Sequence, residues 1–258
     1  MTSQLHELCF DAHDPPRLAR FWAHLLGRET AADGVTVLPR QEPEFPIRFL
    51  LTHEAKTGPN QIHLHLTSTS PEDQQAIVAR ALELGGHHLD VGQTPEEGHI
   101  VLADTEGNEL CVIEPGNSYL AGCGFLGELA CDGTQEVGYF WSAALGWPLV
   151  WDQEEETAIQ SPAGGTKIAW GGPPVRPKTR RNRMHFHLAP SVRGSRDAEL
   201  DRLLSLGATR LPSSSDAPGG MLMADPDGNE FCLLPDDADD ADDADDAVEA
   251  GGAGDGSP

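Results

Sequence analysis

The chain is short of positive charge. It carries 17 Lys and Arg against 42 Asp and Glu, for a net charge of −25 at neutral pH. That deficit argues against nucleic acid or an anionic membrane as a partner. A secretion-signal pattern and long apolar runs are also missing, so a cytoplasmic protein is expected. There are five Cys and no CxxC spacing, which fits free thiols in a reducing compartment better than a disulfide framework. Much of the negative charge is local. From Asp236 onward there are nine Asp, one Glu and no Lys or Arg. Such a stretch buries too little apolar surface to order itself, so 236–258 is expected to be a disordered acidic tail.

What the chain does have is repetition. DTEGNELCVIE at 104–114 returns as DPDGNEFCLLP at 225–235. QIHLHLT at 61–67 returns as RMHFHLA at 183–189, and ARFWAHLLGR at 19–28 as GYFWSAALGW at 138–147. The echoes lie about 120 positions apart, the length of a domain rather than of a solenoid repeat. Two copies of one domain are expected, at 1–115 and 124–235, joined by a linker at 116–123.

Within each copy the pattern is strand, helix, strands, and then the same again. LHELCFD at 5–11 reads as a strand with Leu8 and Phe10 on one face and Glu7, Cys9 and Asp11 on the other. A helix follows, capped by Asp14, opened by Pro15 and Pro16 and ended by Gly27. His63–Thr67 is a strand with both histidines on one face. A second helix runs from about 71 to 84, capped by Ser70. Strands at 99–103 and 109–114 close the copy around the turn DTEGN. In the second copy, strands are expected at 126–132, 157–161, 166–170, 184–189, 220–224 and 230–234. Helices are expected at 135–145 and near 196–206. The fold class is α+β.

The combination of FWxxxLG on a helix, HLHL on a strand and a GNE(L/F)C ending resembles the vicinal oxygen chelate superfamily. More narrowly, it is similar to the branch of glyoxalase-like, bleomycin-resistance and dioxygenase proteins. The resemblance covers both copies. It implies two tandem domains built of paired βαβββ units, each pair curling into a half-open cup of eight strands around a small molecule, often on a divalent metal. The family's ligand position on the first strand falls on Glu7 and Glu128, and that on the fifth strand on His63 and His185. The final-strand position, normally Glu, falls on Cys111 and Cys232. The neighbouring Glu109 and Glu230 could substitute only in a different register.

Read as residues, these positions leave alternatives open. His65 and His187 share a face with His63 and His185, as general bases, substrate contacts or polar lining of a wet groove. Glu7 and Glu128 are either general bases or rim carboxylates held by backbone N–H groups. Cys111 and Cys232 would favour zinc or iron as soft ligands; otherwise they are small buried hydrophobes. Cys9, Cys123 and Cys131 carry no motif. Asp11, Asp132 and Arg183 are expected substrate contacts. Arg183 belongs to the cluster Arg176, Lys178, Arg180, Arg181 and Arg183, which either steers an anion or pairs with surface acids. Trp22 and Trp141 read as core, and Trp147, Trp151 and Trp170 as core or a ligand platform.

Two functions follow. One is a metal-assisted lyase, isomerase or dioxygenase, with Glu7/His63 and Glu128/His185 holding Zn, Fe, Mn or Ni. The other is a metal-free binding protein of the drug-sequestering kind. One copy serving only as support for the other is a further reading. The expected partner is a small molecule, with no nucleic acid or membrane, and the chain a monomer or homodimer.

Overall fold

A computed structural model of the chain describes residues 2–94, 96–191, 195–212 and 219–235. The acidic tail at 236–258 lies outside them. The chain forms four successive modules. The first is β1 (Gln4–Ala12), α1 (Pro15–Leu26), β2 (Thr36–Val37) and β3 (Ile47–Leu51). The second is β4 (Ile62–Leu66), α2 (Pro71–Glu83), β5 (His87–His88), β6 (Ile100–Ala103) and β7 (Glu109–Val112). The third is β8 (Leu126–Cys131), α3 (Gln135–Leu145), β9 (Leu149–Gln153), β10 (Glu156–Gln160) and β11 (Lys167–Trp170). The fourth is β12 (Met184–Ala189), α4 (Arg196–Ser205), β13 (Thr209–Arg210), β14 (Met221–Ala224) and β15 (Glu230–Leu233).

The helices start where short polar side chains can take an orphan backbone N–H. Asp14, Ser70, Thr134 and Ser195 each accept from the residue three positions on. Gly27 ends α1 with φ +64°, a left-handed conformation that favours glycine. β9 was not expected from the sequence. It is an edge strand, almost wholly exposed and held by pairing with β10, so it needs no apolar alternation.

The strands assemble into two sheets that cut across the repeat. One sheet has the order β13-β14-β15-β12-β1-β3-β2, the other β5-β6-β7-β4-β8-β11-β10-β9. The N–C sheet thus joins the first module to the last, and the central sheet joins the second to the third. β1 pairs antiparallel with β12, and β4 antiparallel with β8. Each copy of the repeat therefore contributes half of each sheet.

The copy is held together by other contacts. The indole of Trp22 on α1 donates to Asp104 at 3.1 Å, and that of Trp141 on α3 donates to Asp225 at 3.1 Å. Both carboxylates are buried and also hold the turn Asn, Asn108 or Asn229. Burial raises the pKa of Asp104, and that of Asp225 to about 6, against the pull of these hydrogen bonds. The Asp of each GN turn thus does more than shape a hairpin: it docks the helix of the preceding module. Trp22 and Trp141 are core residues, as their helical spacing predicts.

Candidate functional site

The inner faces of the two sheets carry the predicted site residues in a different pairing from the expected one. In the central sheet β4 lies between β7 and β8, so His65 has Cys111 beside it on one strand and Glu128 on the other. Its Nδ1 lies 2.6 Å from Glu128 Oε2. In the N–C sheet, Glu7 is the register partner of His187 and Cys9 that of His185. His187 Nδ1 lies 3.0 Å from Glu7 Oε1. The expected pairs Glu7/His63 and Glu128/His185 are therefore corrected to Glu7/His187 and Glu128/His65. The physical reason is the strand exchange, which seats each copy's glutamate opposite the other copy's histidines.

In the central cup the donor atoms of His63, His65 and Cys111 lie within 4.8 Å of one another. The two rings stand edge-on with centroids 4.8 Å apart. His65 Nε2 is buried and has no hydrogen-bond partner. Burial alone would lower the pKa of His65, but the neighbouring Cys111 and Glu128 push it up to about 9. Burial and the nearby His65 charge bring His63 down to about 4. Burial raises the carboxyl pKa of Glu128, yet the hydrogen bonds from His65 and Tyr119 take it below its ordinary value. Without a metal, the pair is an imidazolium bound to a carboxylate.

His63, His65 and Glu128 open onto a cavity of about 420 Å³ walled by Tyr119, Asp132, Trp151, Glu156 and Trp170, with Cys111 buried behind them. Tyr119 and Trp151 meet edge to face at 5.7 Å, and Lys167 Nζ lies 4.1 Å from the Tyr119 ring centre. Trp151 is 36% exposed, whereas Trp170 is buried. Tyr119 lies in the segment read as a linker, and nothing in its own sequence context signalled a site. Only the pairing of β4 with β8 brings it there.

In the N–C cup the donor atoms of Cys9, His185 and His187 lie within 4.8 Å of one another. All three are buried, as is Glu7. Arg48 reaches Glu7 at 3.9 Å, and the Cys9 thiol lies 3.6 Å from Glu7 Oε1. His187 Nε2 is buried without a hydrogen-bond partner. Burial, then the adjacent Glu7, pushes the Cys9 thiol well above its ordinary pKa. The sequence reading gave Cys9 no chemistry, although its i, i+2 spacing from Glu7 put both on one face.

The other expected contacts divide. Asp132 lines the central cavity and is paired with Arg176 at 2.8 Å. Arg183 is buried instead of facing a ligand. It donates to the main-chain oxygens of Asp11 and Glu54 and to the Glu106 carboxylate. Its expected role as a substrate contact is corrected accordingly, because the module connectors meet around its guanidinium. Glu109 and Glu230 take Lys56 and Lys178 and also accept from the backbone of Asn60 and Asn182. They are tethers for the connectors, and no change of register brings them to a donor cluster.

The family described as the glyoxalase-like domain matches residues 7–113 and again 128–234. No curated protein matches the chain. Among solved structures, glyoxalase I from Zea mays is 12% identical with a TM-score of 0.61, over 94% of this chain and 95% of that one. A candidate dioxygenase from Bacillus subtilis is 13% identical with a TM-score of 0.55, over 92% of this chain and 86% of that one. At these identities the likeness is one of fold. No helix among the described residues is long and apolar enough to cross a membrane.

Proposed function

The chain belongs to the glyoxalase-like domain family, and from that premise we propose that it is an enzyme acting on a small oxygenated molecule in the central cup. A divalent metal would be held there by His63, His65 and Cys111. The observation that carries this reading is the convergence of those three donors, two of which, His63 and His65, line an open cavity, with His65 Nε2 buried and unpartnered. An unsatisfied buried ring nitrogen is costly, and a cation would satisfy it. Three protein donors leave a coordination position for a substrate oxygen. The thiol tilts the preference toward zinc or iron over magnesium. A bound ion would supply Lewis acidity toward that oxygen.

The chain's own residues account for the rest. Glu128 accepts from the Nδ1 proton of His65 and fixes the ring so that Nε2 faces the donors, as carboxylates do behind metal-binding histidines. In this reading Glu128 is a positioning residue, where the family pattern would make it a ligand. Tyr119 holds the other side of Glu128. The Tyr119–Trp151 edge gives a planar molecule an apolar wall and limits water at the donors. Asp132 stands where it can meet a polar substituent.

Metal-free binding of a small molecule is the second reading. It is favoured by the lack of a carboxylate among the clustered donors and by the aromatic wall. Elemental analysis of the full chain beside His63→Ala and Cys111→Ala separates the two. Metal in the native chain that is lost from either variant supports the enzyme. A chain that carries no metal and shows no thermal shift with zinc, iron, manganese or nickel overturns it in favour of binding.

A further inference from the structure

The histidines of the central cluster border an open cavity while those of the N–C cluster are buried, and the two clusters take their thiols from different strands. The fifth-strand histidines correspond, His63 with His185 and His65 with His187, and so do the glutamates Glu128 and Glu7. The thiol in the central cluster comes from β7, as Cys111. In the N–C cluster it comes from β1, as Cys9, the partner of His185 across the strand pair. The central cup has Ala130 at the position of Cys9, opposite His63.

We infer that the N–C cup is a second metal site, buried and structural, in which Cys9, His185 and His187 hold a zinc ion. Two observations converge on it. The three donors lie within 4.8 Å, and His187 Nε2 is buried with no hydrogen-bond partner while Glu7 takes its Nδ1. An imidazole held by a carboxylate at one nitrogen and clustered with a thiol and a second imidazole has the outer partner that a zinc-binding histidine needs. Cys232 is the register partner of His187 on β15 and stands outside the three-donor cluster. All three donors and Glu7 are buried, so a substrate does not reach the ion and the site is of the structural kind, whereas a catalytic one keeps a position open to substrate. Binding forms the sulfur–zinc bond as the Cys9 thiol gives its proton to solvent, with no change of oxidation state. The ion would staple β1 to β12, where Glu7 and His187 are 180 positions apart in the chain. Clips that close long loops gain the most in chain entropy.

The test is made on the full chain carrying His63→Ala and Cys111→Ala, so that failure of the central-cup reading cannot be mistaken for failure here. Loaded with cobalt(II) in place of zinc, this chain is expected to bind about one equivalent. It should show a thiolate-to-cobalt charge-transfer band in the near ultraviolet. Adding Cys9→Ala should abolish the band and the equivalent. Because alanine stands at the matching position of the central cup, this variant is expected to fold, and circular dichroism checks that it does. Cys9→Ser provides a second, polar replacement. A chelator should lower the Tm of the parent chain and leave that of the Cys9 variants unchanged. A folded parent that takes up no cobalt, or a band that survives both Cys9 substitutions, overturns the proposal.

Discussion

The central cup and the N–C cup begin from the same residues and end in different states. Each has a glutamate on its first strand bonded to the second histidine of an HxH strand. In the central cup the pair faces a cavity bounded by Tyr119 and Trp151. In the N–C cup the same pair is buried, with Arg48 at its edge. The difference teaches that the dyad is a property of the scaffold, whereas access is a property of the surrounding loops and edge strand. Tyr119 comes from the linker and Trp151 from β9, an edge strand with little burial of its own. A cup becomes a site through such additions, and they escape a reading based on the repeat.

The comparison can be broken most sharply by deleting one histidine from each cup. His187→Ala takes the 3.0 Å hydrogen-bond partner from the buried Glu7 carboxylate and leaves Arg48, at 3.9 Å, as its neighbouring cation, a loss of about 3 kcal/mol for an unsatisfied buried charged group. His65→Ala should cost less, because Glu128 keeps the Tyr119 hydroxyl and borders a cavity that admits water. Urea unfolding of the two variants, at matched metal content, checks the order. Equal costs would mean that the cups do not differ in burial where it matters.

A gentler probe is pH. In metal-free protein the His65 pKa stands at about 9, above its ordinary value of 6.5. Its contribution is fully present below the ordinary value and is lost as pH rises from there through about 9. The Glu128 carboxyl is lowered, so its share is present above the usual carboxylate range and fades as acid protonates it. His63, lowered to about 4, opposes folding increasingly as pH falls below 6.5. The chelated chain should therefore lose stability on the alkaline side between about pH 6.5 and 9. His65→Gln should flatten that limb, as seen in the urea midpoint against pH. An unchanged slope in the variant would remove the charged dyad from the central cup.

Much of the architecture was legible because local signals agreed. The caps at Asp14 and Ser70, the FW pairs and the HxH strands each announce their element, and the repeat announces the duplication. The pairing of site residues was not legible. An HxH strand carries no mark that says which first strand it joins, and both β1 and β8 offer a glutamate at the same place. Choosing between them depends on the sheets as wholes, which the local pattern does not encode. Cys9 was passed over for a related reason. Its meaning depends on His185 and His187, which reach it only through the exchange.

The smallest effects come from the helices behind the two cups. Gly138 on α3 sits so close to β10 that an added Cβ would lie 1.9 Å from Thr157 Oγ1. The matching position on α1 is Ala19, fully buried and accommodated. Thr157 belongs to the wall of the central cavity, so the close approach of helix and sheet there helps set the shape of that wall. Gly138→Ala forces the strand outward and should cost about 1–3 kcal/mol, the usual range for overpacking. Ala19→Gly creates no clash and gives up only helix propensity and one methyl, so about 1 kcal/mol is expected. The two unfolding free energies alone do not distinguish a deformed cup from a merely weakened helix. Fluorescence of Trp151, which is part-exposed on the same wall, does. It should shift in folded Gly138→Ala and stay unchanged in folded Ala19→Gly, because only the first substitution moves β10 and its neighbour β9.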